Sequence, residues 1–360
     1  MRTPLSLPRL ALLAALLPGA ALATSALDAY VLTAGGSSSF GANGNPFGCS
    51  TFAPDSGSAL FGRTLELALP TDGSICGVAG VPRSASARSG SVQLAAPLAV
   101  NFGAPTDPRS FTGDAQARAG FGSLGVRVVS SYSGTSDNSV VAGAQAGARQ
   151  IDALTVGGGH GNGTYRATIT LDGAFLNVGR TESEIEFGYS VGTGPTLLAL
   201  RIMGAQDGAV SFYANGAFQA ALPGMAVSGD PVHGVKVAGS TSFSFDVPIV
   251  FGVAQDIGLS LWAATLPRSS AGLLSASGAD VSFLSSARLT GIEVFDSGGQ
   301  AVPDFTITSG SGTLYGPGGV AAVPEPSTAL MLGGGLLCWI GMRRHARVSA
   351  SRALLAPTAP

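Results

Sequence analysis

The sequence predicts an all-β protein: an antiparallel β-sandwich or jelly-roll-like fold, preceded by an N-terminal signal peptide and followed by a single C-terminal apolar helix. Three observations carry that expectation. Apolar and polar residues alternate with period two over many short runs. An Asn-Gly pair, the strongest short hairpin signal, joins two of those runs. Between the two ends, no amphipathic helix longer than two turns can be drawn. Composition agrees, since 53 of 360 residues are Gly and only 11% are charged, while 45% are apolar. Disordered chains pair low hydrophobicity with high charge, so this chain is not of that kind.

The N-terminal 23 residues, MRTPLSLPRLALLAALLPGAALA, read as a secretory leader. Arg2 and Arg9 supply the positive region, Leu10 to Leu17 the apolar run, and Ala21 with Ala23 an A-x-A cleavage site. Eight apolar residues are too few to span a bilayer, which disfavours a permanent anchor. The mature chain is expected to begin near Thr24 and to use the Sec export machinery.

Cys49 and Cys76 are the two cysteines between the ends, and in an oxidising compartment an even pair reads as a disulfide. Closing a loop of about 28 residues contributes roughly 3–4 kcal/mol by chain entropy. Two free thiols are the alternative. Cys338 lies in the apolar tail, where it reads as a small hydrophobe.

Strands follow in series. Tyr165, Ala167, Ile169 and Leu171 share one face of TYRATITL. In ESEIEFGYSV, Ile185, Phe187, Tyr189 and Val191 point inward, and Glu182, Glu184 and Glu186 form an outward, solvated ladder. SFSFDVPIVF places Phe243, Phe245, Val247, Ile249 and Phe251 on one face. One buried and one wet face is the habit of antiparallel sheets. Asn215-Gly216 turns a hairpin, and further strands are expected at 60–69, 92–100, 124–132, 197–203, 257–264, 288–295 and 302–308. A single domain over 24–320 is the favoured division, with a candidate boundary near 140–160, where AGAQAGARQ and GGGHGNG interrupt the alternation.

Catalytic and metal constellations are not found. His160 and His233 lack a second ligand at metal spacing, and His233 alternates with Val235 and Val237 as a partly buried histidine would. GGGHGNGTY has neither the spacing of a dinucleotide loop nor the acidic ligand of a calcium repeat, and reads as a glycine loop. The glutamate ladder has the spacing of glycosidase carboxylates but not the environment an acid needs. Between Thr24 and Ala322, 13 basic residues face 20 acidic ones, a net charge of −7 without a basic stripe, which excludes a nucleic-acid partner. Trp262, in IGLSLWAAT, points away from Ile257, Leu259 and Leu261, as a candidate glycan contact or as a residue tucked beneath a loop. No cofactor is implied.

The C-terminal segment is the most specific. Pro324 and Pro326 fix their own φ and extend the residues before them, so Val323-Pro324-Glu325-Pro326 is a stiff handle. Thr328 to Met342 carries no charge and would span about 22 Å as a helix, short of the ~30 Å hydrocarbon core. Gly333-Gly334-Gly335 weakens that helix, and Arg343 with Arg344 would stay cytoplasmic. An ordinary C-terminal anchor is the alternative.

Pro324-Glu325-Pro326, the apolar run and Arg343-Arg344 together resemble the PEP-CTERM sorting signal of Gram-negative bacteria, here spanning 323–347. The sixteen residues after Arg344 exceed the family pattern, and 348–360 are expected to be a disordered tail. The resemblance implies an exosortase-type membrane protease as partner and an association with extracellular polysaccharide and biofilm. The expected function is that of a non-enzymatic surface or matrix protein, held briefly in the inner membrane by its C-terminal helix. A carbohydrate-binding module and a secreted hydrolase are the competing readings.

Overall fold

The computed structural model describes residues 25–37, 49–51, 74–76, 78–134, 140–192, 194, 196–205, 207–230, 232–267 and 275–320. The leader, the strand expected at 60–69, the sorting segment 323–347 and the tail 348–360 lie outside these residues. Every regular element described is a strand, and no described helix is long and apolar enough to cross a membrane. First come β1 (Ala26–Ser37), β2 (Cys49–Thr51), β3 (Ser74–Cys76), β4 (Val78–Ala87), β5 (Ser91–Ala104), β6 (Asp107–Gly120) and β7 (Ser123–Gly134). The middle supplies β8 (Val140–Gly157), β9 (Asn162–Val178), β10 (Thr181–Val191), β11 (Leu197–Gly204), β12 (Val210–Ala214) and β13 (Ala217–Gln219). The rest are β14 (Met225–Asp230), β15 (Gly234–Val250), β16 (Ala254–Pro267), β17 (Ser275–Asp296), β18 (Thr306–Ser309), β19 (Tyr315–Gly316) and β20 (Gly319–Val320).

Two large antiparallel sheets result. One runs β13-β12-β11-β10-β16-β8-β1-β4, with β18 also on β8, and the other runs β14-β15-β9-β17-β7-β6-β5. Their apolar faces share one core, in which Leu27, Ile185 and Leu261 of the first sheet join Val128, Ile169 and Val247 of the second. That is the burial a sandwich requires, since each sheet has one apolar face to remove from water. Tyr165, Ala167, Ile169 and Leu171 are all buried, as the alternation in β9 predicts. Phe245, Val247, Ile249 and Phe251 are likewise inside.

The stretch 140–160, read as a candidate boundary, instead supplies β8, an inner strand flanked by β16 and β1. All described residues belong to one compact unit, Met1–Val320. Ala144, Ala146 and Ala148 of β8 point into the core with almost no exposure, so these small side chains belong to the core and not to a linker. On β1 the same logic is sharper. A Cβ on Gly35 would overlap the fully buried ring of Phe111 on β6. Asn215 (φ 49°) and Gly216 (φ 76°) both have positive φ, as a two-residue type I′ hairpin requires.

A seam in the first sheet closes the fold. β1 pairs with β8 as far as Ala26 opposite Ile151, and β18 takes over from Leu154 to Gly157. Asp152 lies at the junction, 1% exposed. Its Oδ1 accepts from Ser25 Oγ at 2.7 Å and from the Ser311 amide at 3.0 Å. Its Oδ2 accepts from Ser311 Oγ at 2.6 Å and from Tyr315 Oη at 2.8 Å. Burial, reinforced by the Asp152 charge, pushes the Tyr315 and Tyr165 phenols well above their ordinary range, so both remain neutral. A buried carboxylate is tolerated only with such a set of donors.

Replacing Asp152 by Ala leaves the buried Ser25 and Tyr315 hydroxyls without their acceptor, and urea unfolding should show a loss of about 2 kcal/mol or more. Tyr315→Phe should cost about 1–2 kcal/mol. Unchanged midpoints for both variants would remove the seam from the account. Gly35→Val should destabilise by about 1–3 kcal/mol through overpacking against Phe111, and a wild-type midpoint would show that the ring moves freely.

Candidate functional site

The second sheet aligns charged side chains by register. On β9, Arg166 stands opposite Asp246 of β15 on one side and Glu293 of β17 on the other. Its Nε donates to Asp246 Oδ1 at 2.7 Å and its Nη2 to Asp246 Oδ2 at 2.9 Å, a bidentate pair. The guanidinium also lies 4.9 Å from the centroid of the Phe295 ring. The Arg166 hydrogen bond is the main cause that holds Asp246 below the usual carboxylate range, against a smaller upward push from burial. A depressed carboxylate contributes stability above its unfolded value and loses it as pH falls through the folded one. Both side chains are 40% or more exposed, so solvent screening keeps that contribution small.

This row borders a groove of about 780 Å³. β15 forms one wall through Ser244, Phe245 and Asp246, with Arg166 and Glu293 behind. The other wall comes from Tyr189 on β10, Leu197 and Leu198 on β11, and the Asn215-Gly216 turn. Tyr189 stacks on Phe245 with centroids 4.2 Å apart and an interplanar angle of 17°, which fixes its ring. Leu197 is 49% exposed and gives the groove an apolar shelf. Aromatic, aliphatic, amide and charged groups thus converge on one concavity.

Trp262, the candidate glycan contact, does not join it. β16 lies inside the larger sheet, where Leu261 and Trp262 on opposite faces are both buried. At 6% exposure, Trp262 offers no open ring to a sugar. Tyr132 and Tyr315 are also buried. The glutamates do not form a solvated ladder. β10 is an inner strand, Glu186 is 9% exposed, and Arg201 of β11 bridges Glu184 and Glu186, with Nε 3.0 Å from Glu186 Oε1. None of Glu182, Glu184 and Glu186 lines the groove.

His233, expected to be partly buried, has a side chain 83% exposed at the β14–β15 turn, its Nδ1 2.9 Å from Asp230 Oδ2. Hydrogen bonds from His233 draw the Asp230 carboxyl down. Gly158 to Gly161, with His160, form the turn between β8 and β9. Among the described residues, no group of three or more His, Cys, Asp or Glu is placed to hold a metal. The backbone registers Cys49 directly opposite Cys76 in the β2–β3 pair. Ala21, Ala23, Pro324, Glu325, Pro326, Arg343 and Arg344 lie outside the described residues.

No curated protein and no solved structure matches the chain. A protein-family match covers residues 322–344, and it identifies the C-terminal segment of this chain as a PEP-CTERM protein-sorting motif.

Proposed function

We propose that the chain is a non-enzymatic protein of the cell surface or extracellular matrix, delivered there by an exosortase-type system. The sorting motif at 322–344 carries this reading: it implies export, a C-terminus held in the membrane, and processing by an exosortase. The physics of the segment agrees. A stiff Pro324-Glu325-Pro326 handle precedes an apolar run too short and too glycine-rich to hold permanently, and Arg343-Arg344 orients it. A role in extracellular polysaccharide or biofilm belongs to the same proposal. A glycan-binding module is the second reading, favoured by the mixed lining of the groove.

Fractionation tests the sorting. Cells producing the intact chain should release a form lacking the C-terminal segment, while a chain with Pro324, Glu325 and Pro326 changed to Ala should stay membrane-bound and uncut. Equal release of both forms would overturn the assignment. The facing positions of Cys49 and Cys76 support the disulfide expected of an exported chain. Alkylation of the unreduced protein should modify neither residue, and mass spectrometry finding both labelled would refute the link.

A further inference from the structure

We infer that the groove between β15 and the β10–β11 wall is a binding site for a neutral saccharide segment. Its volume, about 780 Å³, is in the range of small-molecule sites and suits a few sugar units more than a single ion. The lining matches the two chemistries of a sugar. Tyr189, held by its stack on Phe245, and the exposed Leu197 supply apolar surface for C–H faces. Arg166, Asp246, Glu293 and Asn215 supply planar donors and acceptors for hydroxyls.

The Arg166–Asp246 pair is pre-organised. Two parallel hydrogen bonds and the Phe295 ring fix the guanidinium before any ligand arrives, so little side-chain entropy remains to be lost. A guanidinium has five N–H donors, and this bond uses two of them, leaving outward donors beside carboxylate lone pairs. Such a row suits adjacent hydroxyls. Charge sets the class: two carboxylates and one guanidinium leave the groove near −1, and the region between Thr24 and Ala322 is at −7, which disfavours uronates and other polyanions.

An extended peptide is the competing occupant, because among the described residues β15 beyond Ser240 pairs only with β9. Pro248 in that stretch has no N–H to give an added strand, so the donor row an extended peptide would use on this edge is interrupted. The saccharide is therefore the occupant the geometry favours. The inference deepens the glycan-binding reading, and it is tested on purified protein, so its failure leaves sorting untouched and a failure of sorting leaves it standing.

The test uses the full chain purified in detergent. Affinity electrophoresis would be run through gels containing a mixed-linkage β-glucan, a galactomannan, dextran or alginate, beside an array of extended decapeptides. Retardation by at least one of the three neutral polymers is expected, weakened at least tenfold in Glu293→Gln and in Asn215→Gly, which keeps the positive φ of the turn. Thermal melts of both variants should stay at the wild-type midpoint. Arg166→Met should abolish retardation, and should it fail to fold, the other two variants still decide. No retardation by any neutral polymer, retardation by alginate alone, binding confined to peptides, or retardation indifferent to both variants would each overturn the proposal.

Discussion

One buried carboxylate holds the ends of this sandwich together. Asp152 is on the core face of an inner strand, where an isolated charge would be strongly unfavourable. It is stable there because Ser25, Ser311 and Tyr315 bring hydroxyl and amide donors from both ends of the described unit. β1 and β18 divide the same side of β8 between them, and the carboxylate spans the gap. The same β18–β20 segment is also held by its four-residue pairing with β8, by backbone bonds from Gly310 to Ala153 and from Ile292 to Pro317, and by Tyr315 in the core. The residue before β1 and the stretch from β18 to β19 are thus fastened by the same group.

The larger strands were legible because a two-residue period with big apolar side chains leaves few alternatives. TYRATITL and SFSFDVPIVF show it, and their inward faces are the ones the alternation indicates. AGAQAGARQ was not legible, because Ala and Gly signal a linker by composition yet here form a buried inner strand. DPRSFTGDAQARAG of β6 was missed for the same reason: its buried positions include Ala115, Ala117 and Ala119. The glutamates and Trp262 misled in another way. Period two gives the face of a strand but not the strand's place in its sheet, and both lie on inner strands of the larger one. Of the groove, single residues were visible and the constellation was not, since Arg166, Asp246 and Glu293 meet through pairings across 80 and 127 positions of sequence.

The outward face of the second sheet carries rows of paired hydroxyls beside its few charges. Thr168 and Ser244 share a hydrogen bond at 2.8 Å, and Thr170 shares bonds of 2.9 Å with Ser242 and with Thr290. These rungs present neutral, exposed hydroxyls in place of the lysines that often guard a sheet. Pro248 interrupts the donor row of the exposed length of β15. Local polarity and an interrupted donor row are the features by which sheets resist edge-to-edge pairing.

The closing hairpin has a mechanical meaning. Tyr315 pairs with Val320 in β19–β20, and its hydroxyl reaches Asp152. A pull on the chain beyond Val320 first opens that hairpin rung by rung, then meets the phenol-to-carboxylate link before it can strip β18 from the sheet. The end of the described unit is therefore fixed by a side-chain link as well as by strand pairing. A load applied beyond Val320 would have to break that link, and the bond from the Ile292 amide to the Pro317 carbonyl, before it reached β18.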